Sequence, residues 1–161
     1  MKSCQLIKSK DKIKIVTAYN LDVGYYRLST PIFILGLDVD ANTIVKTVIE
    51  SLNSSSDLSL CITYSTKVFL KLLKERSFSS MYKNTRSCFI SLENDQLTIT
   101  PFQKEFRGLN LDDDRCIVLH YSKITDEEMW YSILQVNSVP LKLGRVKYFQ
   151  TTPERGGNRV L

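Results

Sequence analysis

The chain has 161 residues, 43% of them apolar and 24% charged, which suits one globular core and excludes a disordered chain. Lysine and arginine number 22 against 17 aspartates and glutamates, a net charge of +5 that admits an anionic partner. No apolar run approaches the roughly 20 residues that span a bilayer, and the single histidine, His120, excludes multi-histidine metal sites.

Met1-Lys2-Ser3-Cys4-Gln5 carries no apolar block, so no secretory signal is expected and the reducing cytoplasm is the natural compartment. Lys8, Lys10, Lys12 and Lys14 recur at every second position, the densest basic stretch in an otherwise scattered set. They read as a solvated edge strand, or else as a phosphate-binding stripe. Ile13 to Ala18 has period-two patterning and predicts the first strand. A polar turn follows from Asn20 to Gly24. Pro31 to Gly36 is a short apolar run that predicts a buried strand.

Asp40 is a helix N-cap in front of Ala41 to Asn53, where Ile44, Val45, Val48, Ile49 and Leu52 form one apolar stripe. Asn53 to Asp57 is a loop. Ser65 caps a second predicted helix, Thr66 to Arg76, with Val68, Phe69, Leu72 and Leu73 inward and Lys67, Lys71 and Lys74 outward. Cys88, Ile90 and Leu92, then Leu97 and Ile99, alternate with other residues on either side of Asn94-Asp95. Asparagine and aspartate tolerate the positive φ of a tight turn, so this predicts a β-hairpin.

Gln103 to Arg115 reads as a polar loop and Cys116 to His120 as a short strand. Thr125-Asp126-Glu127-Glu128 is a capping box that opens a third helix bearing Met129, Trp130, Ile133 and Leu134. Leu141, Leu143, Val146 and Tyr148 suggest a closing strand bulged at Gly144. The strand–cap–helix order at 32–53 is echoed about 85 residues later at 116–137, which suggests two such units on one sheet.

Little here points to catalysis. His120 ends an apolar strand, which fits a rim or core histidine better than a general base. Asp112, Asp113 and Asp114 lack the spaced ligands of a calcium loop. No dinucleotide, Walker A or nucleophile-elbow motif occurs. The cysteines at 4, 61, 88 and 116 have no metal-type spacing, and the last three read as buried small hydrophobes.

Tyr82-Lys83-Asn84-Thr85-Arg86-Ser87-Cys88, Ile90 and Leu97-Thr98-Ile99-Thr100-Pro101 resemble the immunity proteins of contact-dependent growth inhibition systems. The likeness spans roughly Thr30 to Ser138 and includes the strand–Asp40–helix unit and the capped third helix. It implies a small bacterial cytoplasmic protein without enzymatic activity or cofactor. Such a protein binds the toxic C-terminal domain of a cognate effector, often a nuclease, and neutralises it. The chain departs from simple plugging of a basic nuclease in its positive net charge and its lysine-rich segment from Tyr64 to Arg76.

The expected fold is a single α/β or α+β domain over residues 1–150, with 151–161 a flexible tail. Five or six strands in a mixed sheet carry about three helices. Ile34, Val48, Leu52, Phe69, Leu72, Ile90, Ile99, Val118 and Ile133 are expected inside. The expected partner is the toxin domain, bound one to one, with neither membrane nor nucleic acid favoured. The contact surface is expected in the loop from Phe102 to Arg115, through Glu105, Asp112, Asp113 and Asp114 and the apolar Phe106. The alternative is a basic RNA-binding module using Tyr25, Arg27 and the lysines of the first strand.

Overall fold

The computed structural model describes residues 1–22, 25–105 and 108–138. The expected closing strand at 141–148 and the tail at 151–161 lie outside these residues. Among the described residues seven strands form one sheet: β1 (Lys2–Lys8), β2 (Lys12–Asp22), β3 (Tyr25–Gly36), β4 (Arg86–Glu93), β5 (Gln96–Glu105), β6 (Gly108–Leu111) and β7 (Ile117–His120). Their order is β3-β2-β1-β4-β5, with β6 and β7 both paired to β5. Every described pairing is antiparallel. Four described α-helices complete an α+β fold: α1 (Ala41–Ser54), α2 (Thr66–Leu72), α3 (Phe78–Tyr82) and α4 (Asp126–Ser138).

One sheet face is covered by α1 and α4. Alternate residues of five strands supply it: Cys4 and Leu6, Ile13 and Ile15, Cys88 and Ile90, Leu97 and Ile99, with Ile117 and Leu119 at its margin. Helix α1 starts where Asp40 accepts a hydrogen bond from the Thr43 amide at 2.9 Å, satisfying one of the first-turn donors. The opposite face holds a smaller cluster of Ile7, Val16, Phe69, Leu73 and Met81 beneath α2 and α3.

The sheet is strongly coiled. β3 and β4 are separated by β2 and β1, about 14 Å on a flat sheet. Yet the rings of Tyr26 and Phe89 meet with centroids 4.7 Å apart. A bulge between Val16 and Thr17, where β3 carries two extra residues, supplies local twist.

Strand β1 escaped the sequence analysis because its second face is polar yet buried. Ser3 donates to the Ala18 carbonyl at 2.7 Å, and Gln5 donates to Ser87 Oγ at 2.9 Å. The edge-strand reading of the early lysines is also corrected. β2 lies inside the sheet, and Lys14 is buried with its ammonium on the Glu75 carboxylate.

Three residues expected inside, Leu72, Val118 and Ile34, are not fully buried. Leu72 is exposed and Leu73 buried, because so small a cluster covers only one stripe of α2. That helix stops at Leu72 rather than Arg76, since Lys74 turns to φ 55°. The left-handed region costs a residue with a Cβ roughly 1–2 kcal/mol. Val118 is exposed because α2 and α3 cover the far strands and not β7, and Ile34 is half-buried.

Of the cysteines expected inside, Cys88 is buried and Cys61 and Cys116 are half-buried. Burial pushes the Cys88 thiol up to about 12 and raises that of Cys4 as well. Only thiolate reacts quickly with a disulfide reagent. We expect two of the four thiols to be titrated in the native protein and the other two only on unfolding; four fast thiols would contradict this packing.

Candidate partner-binding edge

The predicted contact loop is a further hairpin and a bulge rather than an irregular loop. β5 runs on to Glu105, and β6 returns along it in register from Glu105↔Gly108 to Phe102↔Leu111. Its polar residues gave no alternation to read. β6 and β7 are collinear: the Pro101 carbonyl accepts from the Asp112 amide and the Asp95 carbonyl from the Tyr121 amide, each at 2.8 Å. β4 pairs β5 along residues 96–101 on its other edge, so both partners lie on the same outer edge of β5.

Between Phe102↔Leu111 and Ile99↔Ile117, residues 112–116 stand opposite only residues 100 and 101. The interruption sits at Pro101, which has no N–H to offer that edge. The extra residues form a 3-10 turn, Asp113–Arg115.

This geometry splits the acidic triplet. Asp112 turns inward, 12% exposed, and its carboxylate takes the Arg115 guanidinium nitrogen. Asp113 and Asp114 stay exposed. Arg115 thus fixes the turn from which the other two carboxylates project. Leu111 at 39% and Val118 at 49% exposure bracket them, a signal hidden in the sequence because Val118 stands in a short apolar run that reads as core. Glu105 stands three positions beyond Phe102, about 10 Å further along the strand. Phe106 lies outside the described residues.

Burial raises the Cys116 thiol pKa beside the turn, and the Asp113 carboxylate adds to the shift. At the other end of β7, the Ser122 hydroxyl and amide hold the Asp95 carboxyl below its usual range, with His120 and Lys123 contributing charge. His120 is exposed and joins no hydrogen-bonded pair with a nucleophile among the described residues. No group of three or more His, Cys, Asp or Glu side chains there is arranged to hold a metal ion. No described helix is long and apolar enough to cross a membrane.

The alternative RNA site is not assembled as drawn. Tyr25 is 73% exposed, but Lys14 is buried and Arg27 donates to Thr63 Oγ1 at 2.7 Å.

Solved structures share this fold. A protein of unknown function from Neisseria meningitidis matches with a TM-score of 0.65 at 19% identity, over 85% of this chain and 93% of that one. A chain of the CdiA-CT/CdiI toxin and immunity complex from Yersinia pseudotuberculosis matches with a TM-score of 0.60 at 13% identity, over 84% and 94%. No protein-family model matches the chain, and neither does any curated protein.

Proposed function

We propose that this protein is an immunity factor that binds the toxic C-terminal domain of a contact-dependent growth inhibition effector in the bacterial cytoplasm. It blocks that domain one to one, without chemistry of its own. The supporting observation is the fold shared, over 84% of this chain and 94% of the other, with a chain of a toxin and immunity complex. The contact surface in this reading is the β6–β7 edge. Asp113 and Asp114 project from a turn pinned by Asp112 and Arg115, so little ordering is needed on binding. Carboxylates so placed can occupy a cationic active site that otherwise holds substrate phosphate. Leu111 and Val118 supply apolar surface that excludes water around them.

The test is co-expression with the toxin domain encoded beside the gene. Restored growth and a stoichiometric complex on purification are expected. Growth arrest by this chain alone would assign it the toxin's role instead. Lack of any complex would overturn the proposal.

A further inference from the structure

The charge of this chain is segregated. From Leu58 to Leu92 six cations stand against one carboxylate, Glu75, while the rest of the chain carries sixteen of each sign. Glu75 is engaged by buried Lys14. Arg86 donates to the Asn137 carbonyl. The other five cations, Lys67, Lys71, Lys74, Arg76 and Lys83, are exposed on α2, α3 and their links. None of the five is ion-paired among the described residues.

Folding accounts for part of this arrangement, since Lys71 stands in the last turn of α2 where the helix dipole favours a cation, but not for the whole of it. Lys67 and Lys71 are four apart on the outer face of α2, where like charges destabilise a helix. Lys74 closes α2 in the left-handed conformation, with the Glu75 amide on the Leu70 carbonyl at 2.9 Å. Glycine is the usual residue at that position. Among the described residues the other non-glycine positions at positive φ are Asn84, Asn94 and Asp95, types that tolerate it. A lysine at a strained position points to use of its side chain.

Four of the five exposed cations are lysines. Lysine is depleted at protein interfaces, whereas phosphate backbones are held by lysine and arginine as point charges. Phe78, 38% exposed on α3, offers a ring on which a base can stack. We propose that the α2–α3 face binds the phosphate backbone of a nucleic acid. This surface is separate from the β6–β7 edge and stands whether or not that edge binds a toxin.

The experiment is fluorescence anisotropy on the whole protein, without toxin, using labelled single-stranded RNA and DNA of about 15 nucleotides. Binding is expected at about 50 mM salt, with log affinity falling against log salt at a slope near −3 for about four phosphate contacts. K67E/K71E is expected to weaken binding about tenfold, and K46E, on exposed Lys46 of α1, to change it little. K74G is expected to weaken binding while leaving the melting temperature equal or higher, which keeps the test clear of misfolding. Preference for RNA or for DNA identifies the source of the phosphates. The proposal is overturned if neither probe binds at low salt, or if K67E/K71E loses no more than K46E. It is also overturned if polyglutamate binds as tightly as the oligonucleotides, which would assign the face to an acidic protein.

Discussion

Glu75→Ala is expected to cost about 2–4 kcal/mol in stability, read from urea denaturation. The Lys14 side chain is 3% exposed and that of Glu75 17%, so removing the carboxylate leaves an ammonium buried without its counter-charge. Glu75 also accepts from Ser80 Oγ at 3.3 Å, so it ties β2 to both α2 and α3. Besides this pair, the small cluster around Phe69, Leu73 and Met81 and the contact of the Tyr82 hydroxyl with the Gln5 side chain hold those helices on the sheet. Their amides should therefore exchange faster in the variant, while α1 and α4 stay protected. The double variant K14M/E75L should recover most of the loss, because apolar replacement of a buried pair is often neutral or favourable. A Glu75→Ala variant as stable as the parent would show that the pair contributes nothing in solution.

Reversing the two exposed charges, D113K/D114K, is expected to weaken toxin binding by about 2 kcal/mol or more at low salt, roughly thirtyfold. The loss should shrink as salt rises, because both side chains are solvent-facing. Asp112→Asn is a different experiment. It weakens the Arg115 contact that shapes the turn, so it should lower stability by about 1 kcal/mol and affect binding mainly through the turn. Calorimetric titration at two salt concentrations separates the two variants. If D113K/D114K binds as tightly as the parent at low salt, the β6–β7 edge is not the contact surface.

Several elements were legible in the sequence because their signals are local. Asn94 and Asp95 take φ of 48° and 65°, so the turn chemistry alone placed the β4–β5 hairpin. Asp40 and its helix needed only a carboxylate and an apolar stripe within one segment. The capping box is likewise local: the Thr125 amide donates to Glu128 Oε2 at 2.8 Å and the Glu128 amide to Thr125 Oγ1 at 3.2 Å.

What only the tertiary structure decided involves partners far away in the chain. Ser3 and Gln5 look like surface residues until Ala18 and Ser87 supply their hydrogen bonds, and β1 then runs through the middle of the sheet. Lys14 carries no sign of burial until Glu75, 61 residues away, arrives beside it. Three adjacent aspartates are alike in sequence. Pro101 on the neighbouring strand marks where the ladder breaks, and Arg115 then draws one of them inward and leaves two outside. The composition, α1, α4 and the β4–β5 hairpin therefore followed from the chain itself, because caps, turns and stripes act over a few residues. The central strands, the buried charge and the shape of the acidic edge followed from contacts that exist only once the sheet has closed, since a polar group's burial depends on which distant partner meets it.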